Sequence, residues 1–198
     1  MIDKIFGIPI LKIQMPYHEE IKAEFLPFLL DSDNFSRSDH WDCMCSTTQN
    51  DREKNMKLPW DNFYENIQSV LGQYLTGVGF KPEIFPNLFG YAWANRYEKN
   101  EHQEIHSHEG QGNLVSCAYM LELSEEENTG QFMFYNSANN YFTHDSMSSF
   151  YQQFDGKRHN PMLKEGEVIF FPSSLDHYVT YNKTDIRRST ISANFGLK

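Results

Sequence analysis

Gly166-Glu167-Val168-Ile169-Phe170-Phe171-Pro172-Ser173-Ser174-Leu175-Asp176-His177 reads as a β-strand, Glu167–Phe171, ended by a proline-containing turn that aims the His177 side chain inward. Five more segments rich in β-branched and aromatic residues lie beyond Lys81: Leu88–Tyr97, Leu114–Leu123, Gln131–Tyr135, His177–Tyr181 and Arg188–Phe195. Clusters of Gly, Asn, Glu and Pro separate them, and no helix-length apolar stripe intervenes. Short strands in succession without helices between them predict a sandwich or jelly roll rather than a parallel sheet. Upstream, the run Ile5–Ile13 carries Gly7 and Pro9 and suits an edge strand. Ile21, Phe25, Phe28 and Leu29 then form the stripe of an amphipathic helix over His18–Leu30, with Pro27 as an expected kink. A second stripe starts at Trp60 after Pro59, continues through Phe63, Ile67, Val70, Leu71 and Tyr74, and stops at Gly77 and Gly79. The expected fold is mainly β with flanking helices. Residues 1–80 form a helical and strand support and residues 81–198 a barrel core, together one domain over 1–198.

Two stretches lack periodicity. Residues 31–57 are rich in Ser, Asp, Asn and charge and read as a long loop, with a short strand at Trp41–Ser46. Residues 136–164 read as a second long loop, and its Tyr141, Phe142, Phe150 and Tyr151 make it a candidate substrate lid.

Composition narrows the function classes. A chain of 198 residues matches one domain. Only 39% of it is hydrophobic, but sixteen Phe, eleven Tyr and three Trp make 15% of the chain aromatic, which excludes disorder and implies a core built on large rings. The formal charge of −10 disfavours nucleic acid as a partner, and the basic pairs Lys157-Arg158 and Arg187-Arg188 are too sparse for a phosphate-binding track. No apolar stretch approaches the roughly 18–20 residues of a membrane span, and Met1-Ile2-Asp3-Lys4 does not open a signal peptide, so a cytoplasmic location is expected. Cys43, Cys45 and Cys117 are odd in number and lack zinc or thioredoxin spacing, as expected of reduced thiols.

The chemistry concentrates in histidines. His106 and His108 are separated by one residue, so alternation in an extended segment puts both on one face, and His177 is the natural third ligand for a metal. Arg188 and Thr190 share a face of the last strand. A guanidinium beside a hydroxyl makes a clamp for a carboxylate, because the fork donates two parallel bonds and the hydroxyl a third.

These runs carry a resemblance. Trp93-Ala94-Asn95-Arg96-Tyr97-Glu98-Lys99-Asn100, Gln103-Glu104-Ile105-His106-Ser107-His108 and Leu114-Val115-Ser116-Cys117-Ala118-Tyr119 resemble the 2-oxoglutarate/Fe(II)-dependent oxygenases of phages and marine bacteria, of the prolyl-hydroxylase-like type. Phe170-Phe171-Pro172-Ser173 leading to His177, the run Arg188–Phe195 and the opening Ile5–Pro9 agree, and the likeness is weakest in 31–57 and 136–164. The resemblance implies a double-stranded β-helix that binds Fe(II) at its mouth, with 2-oxoglutarate as cosubstrate. By motif position it implies His106 and His177 as metal ligands, Arg188 as the clamp on the far carboxylate, Thr190 at the hydroxyl position, and Tyr97 near the cosubstrate.

The superfamily pattern is His-x-Asp/Glu, whereas this chain has His108 at the second position. Either His108 completes a three-histidine shell, the favoured reading, or Glu109 swings in as the carboxylate. Two rival functions stay open on the residues alone. One is a cupin-type three-histidine metalloenzyme without 2-oxoglutarate, since Gly166…Pro172-x-Ser174-x-x-His177 is close to the second cupin motif. Against it, Gly110-Gln111-Gly112-Asn113 stands where the first cupin motif wants a glutamate. The other is a non-catalytic jelly-roll protein that binds a metal or serves a structural role. The expected substrate is a small molecule or a protein side chain.

Overall fold

The computed structural model describes residues 7–37, 44–110, 112–137 and 157–197. Eleven strands and three α-helices are built from them: β1 (Leu11–Gln14), α1 (His18–Leu30), β2 (Ser36–Arg37), β3 (Ser46–Thr47), α2 (Arg52–Asn55), α3 (Trp60–Gly77), β4 (Leu88–Tyr97), β5 (Gln103–His106), β6 (Asn113–Glu122), β7 (Phe132–Tyr135), β8 (Arg158–His159), β9 (Glu167–Pro172), β10 (His177–Val179) and β11 (Arg188–Leu197). Every pairing is antiparallel. The large sheet runs β1-β9-β6-β11-β4-β3-β2 and the small one β5-β10-β7-β8, the two layers of a jelly roll.

Alternation along the central strands decides what each face of the large sheet does. On β11, Ile191, Ala193 and Phe195 join Val115, Cys117, Tyr119 and Leu121 of β6 and Val168 and Phe170 of β9 in an apolar cluster beneath the helices. The helices supply Ile21, Phe25 and Leu29 from α1 and Phe63, Ile67, Val70, Leu71, Tyr74 and Leu75 from α3, the stripes expected from their spacing. Trp60 packs edge-on against Phe25 at 5.2 Å between ring centroids, and Tyr74 stacks on Phe170 at 5.9 Å. On the inner face, Ala118 and Met120 of β6 and Ile169 and Phe171 of β9 meet Phe132, Phe134 and Val179 of the small sheet in a second apolar cluster. The large sheet therefore has a core on both sides, with the helices acting as backing for the layer that faces the small sheet.

The six strands expected beyond Lys81 are present within two residues at each end. Elsewhere the structure differs. The opening strand begins at Leu11, past Pro9, because proline lacks the N–H a ladder needs; it pairs with β9 at the sheet edge. Residues 31–57 are not one loop. They include a 3₁₀ turn at Ser32–Asn34, the small strands β2 and β3, and α2, whose first turn is capped by the Asp51 carboxylate accepting from Lys54 N at 3.1 Å. The short strand expected at Trp41–Ser46 falls partly outside the described residues, and the strand observed there is Ser46–Thr47. β8 was not expected, and the segment of β5 was expected only as an extended stretch carrying His106, since Gln103–His106 and Arg158–His159 lack any apolar alternation. β8 lies inside the stretch expected to be loop, while Tyr141, Phe142, Phe150 and Tyr151 lie outside the described residues. Among the described residues no helix is long and apolar enough to cross a membrane.

The entry to β9 depends on a glycine. Gly166 has φ +81°, donates its N–H to Met120 O and accepts from Met15 N, both at 2.8 Å, and so ties β1 and β6 to the turn before β9. A Cβ there would overlap the Gln14 side chain and lie 3.0 Å from the His18 ring. Gly166→Ala is expected to destabilise the protein by about 1–3 kcal/mol, read as a lowered urea midpoint at unchanged m-value. An unchanged midpoint would show that the turn relaxes freely.

Candidate metal centre

His106 ends β5, His177 begins β10, and the two residues are direct cross-strand partners. His108 lies just beyond β5, where its N–H donates to Ser173 O at 2.8 Å and its carbonyl accepts from Asn113 Nδ2 at 3.1 Å. Ring centroids lie 4.3 Å apart for His106 and His177, 4.9 Å for His108 and His177, and 5.2 Å for His106 and His108. One nitrogen from each ring lies within 4.8 Å of the others.

Hydrogen bonding selects which nitrogen that is. His106 Nδ1 is 2.8 Å from Glu104 O, His177 Nδ1 is 2.9 Å from Leu175 O, and His108 Nδ1 is 2.6 Å from Asn194 Oδ1. Carbonyl oxygens only accept, so each Nδ1 carries the proton and donates it, leaving the lone pair on Nε2. Burial holds all three rings neutral. His106 is shifted below the usual histidine range by desolvation. His108 is pushed down to about 4 by burial and then by its neighbour His106, and His177 falls well below the usual range by burial and by both other rings. Three neutral imidazoles with fixed tautomers and clustered lone pairs form a donor set for a borderline divalent metal such as Fe(II).

The inner face of the large sheet and the facing small sheet supply the rest of a tight cavity, lined by Trp93, Tyr97, Phe132, Phe171, Arg188 and Thr190 as well as the three rings. Phe132 stacks on His177 at 5.4 Å and Trp93 tilts against His108 at 5.5 Å. Arg188 is 1% exposed, yet its Nε and Nη1 have no hydrogen-bond partner, while its Nη2 donates to the Met120 thioether at 3.3 Å. The guanidinium lies 4.9 Å from the Tyr97 ring centroid and forms no ion pair with a carboxylate among the described residues. Burial lowers its pKa, with Tyr97 acting in the opposite sense. A buried charge left unpaired costs several kcal/mol, a cost that an anion brought in from outside would offset.

Of the residues expected from sequence, His106, His108, His177, Arg188, Thr190 and Tyr97 all line this cavity. Glu109 is exposed and stands outside the cluster. Four contributors were not anticipated. Asn194 and Ser116 contact His108. Gln103 accepts from Tyr97 Oη at 2.9 Å and places its Nε2 3.4 Å from His106 Nε2, and Trp93 walls the cavity. Asn194 was within reach of the alternation argument, since it follows Arg188, Thr190 and Ser192 along one face of β11.

Residues 91–194 match the family model described as "Putative 2OG-Fe(II) oxygenase". The chain belongs to this family. The oxygenase thus has Fe(II) and 2-oxoglutarate as its cofactor and cosubstrate, and the unpaired guanidinium and three imidazoles fit that pair. No curated protein matches the sequence. Among solved structures it is similar to a Pseudomonas putida prolyl-4-hydroxylase, at 12% identity and TM-score 0.66 over 96% of this chain and 94% of that one. It is also similar to EvdO2 from Micromonospora carbonacea var. aurantiaca complexed with 2-oxoglutarate, at 12% identity and TM-score 0.63 over 96% and 87% of the two chains. HygX from Streptomyces hygroscopicus, with nickel, 2-oxoglutarate and hygromycin B bound, gives 11% identity and TM-score 0.60 over 96% and 84%. At such identities the likeness speaks for the fold, the double-stranded β-helix.

The unpaired guanidinium has a measurable consequence. In the oxygenase free of metal and cosubstrate, Arg188→Met is expected to raise stability by about 1–3 kcal/mol, because a side chain of similar length fills the space without a buried charge. Thermal unfolding of the ligand-free proteins checks this; a lower Tm for the variant would mean that Arg188 has a partner the structure does not describe.

Proposed function

We propose that His106, His108 and His177 hold Fe(II) through Nε2, while Arg188 and Thr190 receive the far carboxylate of 2-oxoglutarate. The observation that carries this is the buried guanidinium with unpartnered Nε and Nη1 in the same cavity as three neutral imidazoles. When bound there, Fe(II) would supply the dioxygen-dependent oxidative decarboxylation of 2-oxoglutarate to succinate and CO2, one oxygen atom entering succinate and the other serving the oxidation of a substrate C–H bond. The chain's own residues bind, orient and exclude. Arg188 presents two donors to one carboxylate, and Thr190 adds a hydroxyl whose oxygen already accepts from Asn95 Nδ2 at 3.4 Å, leaving its proton for the ligand. Tyr97 forms a platform against the guanidinium and donates its hydroxyl hydrogen bond to Gln103 Oε1. Phe132, Phe171 and Trp93 keep water from the rings.

The substrate class that fits is a small molecule or a protein side chain. The net charge of −10 supports a reading without nucleic acid, and the protein is taken to act in the cytoplasm as one domain spanning 1–198. A three-histidine centre working without an organic acid would leave the Arg188 charge without a role.

Titration of 2-oxoglutarate into Ni(II)-loaded protein by calorimetry tests the assignment. His106→Ala and His177→Ala are expected to lose metal. Arg188→Ala is expected to keep the metal and bind 2-oxoglutarate more weakly by about 2–3 kcal/mol or more, the worth of charge-assisted hydrogen bonds. Equal 2-oxoglutarate affinity in the arginine variant would falsify the cosubstrate assignment. Succinate formation by the Fe(II)-loaded wild type is the companion measurement.

A further inference from the structure

Behind His108 lies an amide placed by three strands at once. Asn194 is 2% exposed and is the direct cross-strand partner of Tyr91 on β4 and of Ser116 on β6. Its Oδ1 is 2.6 Å from His108 Nδ1 and accepts from Ser116 Oγ at 2.7 Å, and its Nδ2 donates to Tyr91 Oη at 2.9 Å. Ser116 Oγ also lies 3.1 Å from His108 Nδ1 and 2.9 Å from Ser173 Oγ. His106 and His177 are tethered by main-chain carbonyls and can present only one tautomer. The Nδ1 of His108 is instead tethered by a side chain whose two ends have opposite chemistry. With the amide oxygen inward the ring keeps its proton on Nδ1 and its lone pair on Nε2. With the NH₂ inward, or with the amide gone and the Ser116 hydroxyl donating to Nδ1, the proton moves to Nε2 and the ring cannot bind metal there.

Resting on the three-histidine reading above, we propose that Asn194 is the positioning residue of the metal centre: its amide oxygen sets His108 in the Nε2-ligating tautomer, and as a neutral acceptor it sets the ring's basicity. Where the usual pattern places a carboxylate on the metal, this chain has a neutral imidazole backed by a neutral amide. A carboxylate at position 194 would make the same hydrogen bonds to His108, Ser116 and Tyr91 while making the imidazole a stronger donor. An aliphatic side chain of the same size would free the Ser116 proton to turn the ring over.

The experiment is Co(II) affinity at pH 7, measured by competition with a chromophoric chelator and independent of turnover, on wild type, Asn194→Leu, Asn194→Asp and His108→Ala. Asn194→Leu is expected to weaken Co(II) binding by about tenfold or more, within the range known for groups that orient metal ligands. Asn194→Asp is expected to tighten it by about threefold or more. Opposite signs from two near-isosteric replacements are something a purely structural role does not produce. A Leu variant within twofold of wild type, or an Asp variant that weakens binding, overturns the inference. Thermal unfolding of the metal-free proteins shows whether the Leu variant folds. If it does not, the Asp variant decides alone, tighter binding supporting the inference and equal or weaker binding overturning it. Wild type without Co(II) uptake, or His108→Ala binding as tightly as wild type, overturns the three-histidine reading itself, an outcome distinct from normal binding with unresponsive Asn194 variants.

Discussion

A slip of one residue in the pairing of β11 would turn Arg188, Thr190, Ser192 and Asn194 onto the helices and bring Ser189, Ile191, Ala193 and Phe195 into the cavity. The buried guanidinium and the amide behind His108 would be lost from the cavity together. What forbids the slip is burial on both faces: β11 pairs with β4 along all ten of its residues and with β6 on its other side, and Ile191, Ala193 and Phe195 are locked under α1 and α3. The helices touch no reacting group, yet their apolar stripes hold the register on which the cavity depends.

The resulting cavity combines a buried cation with three neutral bases, and among the described residues no carboxylate lines it. That is an unusual interior for a chain whose formal charge is −10. At physiological ionic strength charges beyond about 8 Å are largely screened, so the acidic exterior has little say over an organic anion already at the mouth. On the proposed reading, selection would fall to short-range pairing with Arg188, which desolvation would make strong and directional.

Much of this was legible in the sequence. The long strands of the large sheet and both long helices follow from period-2 and period-3.6 patterns, because each buries an apolar face large enough to leave a mark. His106 stood out by its spacing from His108, His177 by following a strand and its proline turn, and Arg188 by sharing a strand face with Thr190. β2 and β8 left no mark, β3 only a displaced one and β5 only an extended segment carrying the histidines, since such short, mostly polar strands are held by hydrogen bonds to neighbours rather than by their own burial. The choice between His108 and Glu109 rested on alternation along a continuing strand. In the structure β5 stops at His106, and His108 is kept in the cluster by its N–H to Ser173 O and its ring to Asn194, contacts remote in sequence. Asn194 itself looked like one more polar residue on a strand, and only the three-strand crossing of Tyr91, Asn194 and Ser116 shows what it faces.

Two of the clustered rings ride on strands of four and three residues in the small sheet, whereas Arg188 and the amide that tethers His108 ride on a ten-residue strand of the large one. The proposed ion would therefore act as a rivet between a stiff plate and a thin one. Its uptake and the clamping of the two layers would be a single thermodynamic event, so the barrel would be tightest when armed for chemistry and most apt to breathe when stripped.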